Sequence, residues 1–337
     1  MEQIRYVKQH EKQKARAMYE AVFPEDPKEF VDYYFQWKTR DNQVLVMEEA
    51  DMVQVMMHLN PYTIQIYGHL RKLPYIVAVA SHPSCRRQGK MGRVMEYALQ
   101  DMERMQVPFT FLLPADPAYY KGQGFVFFPC QGVAGAEAEA DVPSGYTWQE
   151  AQEGDLAQAA EFSNNILERD YHIFIKRDMD YYKRLMAETH AEHGRLLLLK
   201  YQGLLKGILV YGVEQGEPKA EIQELLLSPE IQGWRDMLCH AALPGLEIQF
   251  CEFQMMFRIA SLREFVSLLK SEEGHSFEVM VQDAMVPKNA GAYCIEIDRD
   301  GGRIERMSGK LPEKKMDIQE LAQALLEHTR VSLREWV

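Results

Sequence analysis

The sequence predicts an α+β fold in three units: two α/β-like units in tandem, then a smaller α+β module. Three observations lead there. Hydrophobic periodicity switches from strand-like to helical between Ala80 and Met91. A similar order of helices, strands, Pro-containing loop and helix recurs after Tyr146. The chain has 337 residues, more than one ordinary domain, and its 47% hydrophobic and 26% charged residues suit a core-forming globular protein.

In the first unit, Glu11 to Glu20 and Lys28 to Trp37 read as helices. Strand-like runs follow at Val44 to Met47, Val53 to Leu59, Tyr62 to Tyr67 and Tyr75 to Ala80, with Asn60-Pro61 as a turn signal in an antiparallel meander. Met91, Val94, Met95, Ala98, Leu99, Met102 and Met105 fall on one helical face, and that helix ends before Pro108. Phe109 to Leu113 and Phe125 to Phe128 read as strands around a short Tyr119-Tyr120 segment. Residues 131–145 are small and polar and mark a boundary.

In the second unit, Leu156 to Glu168 and Asp180 to Thr189 read as helices. Strands follow at Arg195 to Lys200, Leu204 to Val213 and Lys219 to Leu227, then a helix from Trp234 to Ala242. The echo of the first unit suggests a diverged duplication. In the third, Arg258 to Leu269 reads as a helix, and Phe277 to Val281, Tyr293 to Ile297 and Arg303 to Met307 as strands. Asp317 with Glu320 forms a capping box for a last helix. The expected units are residues 1–132, 133–254 and 255–337.

Composition narrows the function. A net charge of −12 disfavours nucleic acid and anionic membranes, since phosphate neutralisation needs Lys and Arg. No apolar run approaches the roughly 20 residues of a membrane span, and the first residues carry no signal peptide, so a cytoplasmic protein is expected. Five scattered cysteines without CxxC spacing argue against a disulfide framework and a zinc site. No metal is expected.

One segment carries chemistry: Val77-Ala78-Val79-Ala80-Ser81-His82-Pro83-Ser84-Cys85-Arg86-Arg87-Gln88-Gly89-Lys90-Met91-Gly92. A strand enters a basic, glycine-containing loop that opens directly into an amphipathic helix. Helix N-termini offer unpaired N–H groups and partial positive charge, and glycine lets the backbone approach an anion. This is the physics of a pyrophosphate site. Neither the Walker pattern nor GxGxxG is present.

Arg86-Arg87-Gln88-Gly89-Lys90-Met91 after a strand resembles the acetyl-CoA motif of the GNAT superfamily. With His82-Pro83, Phe109-Thr110-Phe111-Leu112 and Tyr120-Lys121-Gly122-Gln123-Gly124-Phe125, the chain is similar to the "enhanced intracellular survival" (Eis) branch of acetyltransferases. Met255-Met256-Phe257-Arg258-Ile259 looks like that family's entry to its third domain. The resemblance implies tandem GNAT-fold domains, the second degenerate, and a C-terminal domain like a sterol carrier protein. It implies acetyl-CoA as co-substrate, a small-molecule amine or lysine as acceptor, and a homo-oligomer, hexameric in the family.

Residue roles follow from the same resemblance. Tyr120 is placed to protonate the leaving thiolate, and the carboxylate of Val337 to act as base. Val79, Ala80 and Ser81 would pair with the pantetheine arm. Arg87, Gln88, Gly89, Lys90, Met91 and Gly92 would cradle the pyrophosphate, with Ala115 and Asp116 as further contacts. From the residues themselves, Glu25, Asp26, Tyr34 and Trp37 are candidates to line a pocket for a cationic acceptor; a solvated helix start is the alternative. The loop Ser228-Pro229-Glu230-Ile231-Gln232-Gly233-Trp234 has no Arg-Arg-x-Gly and is expected to bind no CoA. The competing function is a non-enzymatic CoA- or lipid-binding protein that uses the third domain.

Overall fold

The apolar runs before Ser81 fold into a long antiparallel ribbon backed by helices on both faces. In the computed structural model, residues 2–50, 52–129, 144–213, 218–251 and 254–335 are described. The first unit runs β1 (Gln3–Tyr6), α1 (Lys12–Val22), α2 (Lys28–Trp37), β2 (Gln43–Glu49), β3 (Met52–Ile66), β4 (His69–Ser81), α3 (Lys90–Arg104), β5 (Phe109–Leu112), α4 (Ala118–Lys121) and β6 (Val126–Phe127). Alternation along the strands sorts their side chains. Leu45, Met47, Val55 and Met57 pack with Val94, Ala98 and Leu99 of α3. Val44, Val46 and Met56 pack with Phe30, Tyr34 and Phe35 of α2.

The expected turn at Asn60-Pro61 is absent; β3 runs straight through it. Pro61 stands opposite Pro74 of β4, so neither strand loses a needed donor at that rung. The chain turns instead at Tyr67-Gly68, whose φ angles of 47° and 87° make a tight hairpin.

The second unit runs β7 (Tyr146–Glu150), α5 (Leu156–Asp170), β8 (Ile173–Ile175), α6 (Met179–Ala191), β9 (Arg195–Tyr201), β10 (Leu204–Val213), β11 (Lys219–Leu227), α7 (Arg235–Ala242) and β12 (Glu247–Phe250). Its sheet has the order β12-β11-β10-β9-β7. β12 pairs parallel with β11 after an intervening helix, as β5 does with β4. The third unit runs β13 (Met256–Ile259), α8 (Leu262–Leu268), β14 (His275–Gln282), β15 (Gly291–Ile297), β16 (Gly302–Arg306), β17 (Lys315–Asp317), α9 (Ile318–Leu326) and β18 (Val331–Ser332). Its sheet has the order β16-β15-β14-β17, and Asp317 and Glu320 cap α9 reciprocally.

Two features depart from the linear reading. The helix expected from Arg258 begins only at Leu262, because Met256–Ile259 is a strand. That strand does not open the third sheet; it lies between β5 and β6 and completes the first. Likewise β18 pairs with β8, and β8 with the far end of β3. All three units therefore contribute strands to one sheet. Among the described residues, no helix is long and apolar enough to cross a membrane.

Arg258 pins this insertion. Its side chain is 1% exposed and lies 2.6 Å from Asp283, while its Nε donates to the Gln123 carbonyl at 3.0 Å. Gly124, at φ 85°, leaves the room in which the guanidinium lies; a Cβ there would collide with it. Removing one partner of a buried ion pair leaves the other uncompensated. Arg258→Met is therefore expected to destabilise the protein by about 3–5 kcal/mol, read by urea unfolding. A loss below about 1 kcal/mol would show that the pair does not hold β13 in place.

Candidate active site

The site begins where β4 and β5 separate. They are parallel neighbours, yet only Tyr75 and Phe111 stand in register. The Thr110 hydroxyl donates to the Pro74 carbonyl at 2.8 Å just before that point. Past it β4 continues to Ser81, whereas β5 stops at Leu112. Along residues 76–81 no β5 residue stands in register among those described, and Val77, Ala78 and Val79 are only half-buried there. Ala78 has φ 50°, and the register against β3 slips between Met56 and His58. This bulge takes main-chain groups out of the β3 ladder. Of the expected pantetheine contacts, Val79 and Ser81 are half-buried and Ala80 is buried.

The loop after β4 ends in Gly89, the N-cap of α3, with φ 72° and nothing within 4 Å of a notional Cβ. The first helical bond of α3 runs from Arg93 N–H to the Gly89 carbonyl. The N–H groups of Lys90, Met91 and Gly92 precede it and have no partner within the helix. Arg87, φ 61°, is exposed and enters no ion pair among the described residues. Arg86 turns back to the Ser81 carbonyl at 3.3 Å, and Gln88 to the Ser84 carbonyl at 3.1 Å. Lys90 behaves differently from the sequence expectation: its ammonium lies 2.7 Å from Glu2 and also donates to Gln54. Glu2 pairs with Arg93 as well, at 2.6 Å, and these contacts hold its carboxyl below the usual range. An anion at this turn would therefore meet main-chain N–H groups and Arg87 first.

Tyr120 sits in α4 with its ring inward, 5.7 Å from Phe125, while its neighbour Tyr119 is 62% exposed. Burial pushes the Tyr120 phenol up to about 12, with a smaller push from Tyr119. It stays protonated at neutral pH and makes no hydrogen bond among the described residues. Ala115 and Asp116 are exposed in the turn before α4, where Asp116 accepts from the Ala118 N–H at 2.8 Å. Val337 lies outside the described residues.

The four candidate acceptor residues are differently engaged. Tyr34 is fully buried, and its hydroxyl meets His58 Nδ1 at 2.9 Å. Asp26 accepts from the Tyr19 hydroxyl at 2.6 Å, and burial pushes its carboxyl up. Glu25 is exposed, and Trp37 carries the Arg40 guanidinium 4.0 Å from its ring centre. Sequence reasoning missed a buried cluster of Lys38, Glu188 and Glu335 near Tyr75. Its members are too far apart in the chain for any local spacing to link them.

A strand that parts from its parallel neighbour beside a bulge runs here into a glycine-capped helix start. Residues 3–128 match the acetyltransferase (GNAT) domain, and residues 258–336 match the sterol carrier protein domain. The chain thus carries a GNAT-fold acetyltransferase domain followed by a sterol-carrier-protein-like C-terminal domain.

Among solved structures, a conserved protein of unknown function from Enterococcus faecalis V583, a probable N-acyltransferase, superposes with a TM-score of 0.76 at 16% identity over 100% of both chains. A GCN5-related N-acetyltransferase from Anabaena variabilis gives 0.73 at 15% identity, over 96% of this chain and 89% of that one. Eis1 from Mycobacterium abscessus gives 0.68 at 13% identity, over 97% and 89%. At such identities the likeness is one of fold. No curated protein sequence matches the chain.

Proposed function

We propose that the chain is an acetyl-CoA-dependent N-acetyltransferase that transfers acetyl directly to an amine of a small molecule, aminoglycoside-like or another polyamine, or to a lysine. The observation that carries this reading is the junction of the opened β4 edge with the free N–H groups at the start of α3. An extended thioester arm fits along the first, and its diphosphate fits the second.

The chemistry needs little more. The amine, which has lost a proton, attacks the thioester carbonyl. A C–N bond forms, the C–S bond breaks, and the carbonyl oxygen carries negative charge in between, which main-chain N–H groups stabilise. Tyr120 gives its proton to the departing sulfur, and the proton released by the amine restores balance. Holding both reactants in one cleft supplies much of the acceleration.

The test is a screen of amines with full-length protein and acetyl-CoA, reading released thiol. At least one amine is expected to support turnover. Arg87→Glu is expected to weaken acetyl-CoA binding roughly 10- to 100-fold, the value of one hydrogen bond to a charged group. If acetyl-CoA leaves the melting temperature of the wild-type protein unmoved, the reading fails.

A further inference from the structure

Away from the mouth of the cleft, one buried cluster joins the three units. Lys38, directly after α2, has a side chain 4% exposed. Its ammonium lies 3.0 Å from Glu188 of α6 and 3.8 Å from Glu335, close to the last described residue. It also donates to the Tyr62 hydroxyl of β3 at 2.9 Å, and Tyr33 of α2 donates to Glu188 at 2.6 Å. The main-chain carbonyl of Glu335 accepts from the Tyr75 hydroxyl at 3.3 Å. Tyr75 is the last β4 residue paired with β5, so this tail is fixed at the root of the cleft.

The cluster is not electrically balanced. One ammonium faces the carboxylates of Glu188 and Glu335, and burial together with Glu188 pushes the neighbouring Glu192 carboxyl up, while the nearby Arg177 is taken up by Glu224. Among the described residues Glu335 Oε1 has no partner, and a cavity of about 30 Å³ beside it, bordered by Tyr181, Glu188, Gln223, Glu224 and Arg334, has room for a water. Burial pushes the Glu335 carboxyl up to about 7; Glu188 adds to that push, and Lys38, Tyr62 and Arg177 oppose it. Buried ion pairs of this kind seldom add net stability, but breaking one expels the charge left behind.

We propose that Lys38 is a positioning residue for acetyl transfer: by bridging Glu188 and Glu335 it clamps the tail against Tyr75, so that the cleft is complete only when all three units are docked. The effect on transfer rests on the acetyltransferase reading; the clamp itself does not. Because the seated Glu335 titrates above its ordinary 4.5, the seated tail holds a proton that the free tail gives up. Seating is therefore strongest below that ordinary value, weakens as pH rises toward about 7, and levels off above it.

Full-length wild type, Lys38→Met, Lys38→Arg and Glu335→Gln test this by hydrogen exchange of the peptide covering residues 327–335, corrected for intrinsic rates, beside steady-state kinetics. In Lys38→Met, tail exchange is expected to rise at least roughly tenfold and kcat to fall roughly 10- to 100-fold, with acetyl-CoA binding unchanged. Lys38→Arg should restore most of both. In Glu335→Gln the tail should stay protected and lose the pH response that the wild type shows between about 5 and 7. Wild-type protection and kcat in Lys38→Met would overturn the clamp, as would a wild-type pH response in Glu335→Gln. If Lys38→Met does not fold, Lys38→Gln, which keeps a donor but drops the charge, is read in its place with the same two outcomes. If no amine turns over in the wild type, the acetyltransferase reading fails, and tail exchange still tests the clamp.

Discussion

Gly89→Asp is expected to abolish acetyl-CoA binding while leaving the protein folded. The residue sits at φ 72°, a region that aspartate tolerates better than most side chains. It is also the N-cap of α3, where aspartate is among the favoured residues, so local strain of about 1–2 kcal/mol is partly offset. The new carboxylate would project into the open space in front of the helix start, where the proposed diphosphate would lie. Two like charges near 4 Å repel by about 4 kcal/mol at the effective dielectric of a protein surface. That corresponds to roughly a thousandfold loss in affinity. Calorimetric titration with acetyl-CoA checks the loss, and the unliganded melting temperature checks the fold. A Kd within tenfold of wild type would remove the diphosphate from this turn.

Tyr120→Phe is expected to lower kcat roughly 100- to 1000-fold with acetyl-CoA affinity unchanged, the usual scale of a lost general acid. The ring contact with Phe125 survives the change, and the hydroxyl has no partner to strand, so stability should hardly move. Tyr119→Phe serves as the control, since that side chain faces solvent. The pH profile separates this role from packing. With the phenol held near 12, Tyr120 stays a proton donor through neutral pH. A departing thiol with an ordinary value of about 8.5 needs no donor once the pH exceeds it. The defect should therefore shrink above about pH 8.5. A defect that is equal at all pH values, or a kcat near wild type, would remove Tyr120 from the acid role.

The turn from β4 into α3 was legible in the sequence because every signal there is local. An apolar run, a basic glycine loop and an amphipathic helix follow one another within thirty residues. Tyr120 is named through the family resemblance, with Gly124-Phe125 fixing the register; the structure turns Tyr120 inward and leaves Tyr119 exposed. The actual partner of Lys90 was not, since Glu2 reaches it from the other end of the unit. Pro61 misled because a proline usually ends a strand; only the facing Pro74 shows why it does not. Met256–Ile259 misled because four apolar-flanked residues leading into a helix carry no period of their own, and the edges they fill belong to residues more than a hundred positions earlier. The Lys38 clamp is a product of docking, so no spacing in the sequence announces it.

The late arrival of β13 has a consequence for how the protein is made. During synthesis, β5 emerges long before the strand that covers its edge, with the whole second unit still to be translated. At ordinary elongation rates that interval is on the order of ten seconds. Through it Phe109 and Phe111 stand at a bare edge, the kind of surface that recruits chaperones or pairs with another nascent chain. A gene fragment that stops after β6 would leave this edge uncovered permanently. The first unit is thus a separate piece of sequence only on paper; on the ribosome it waits for Ile259.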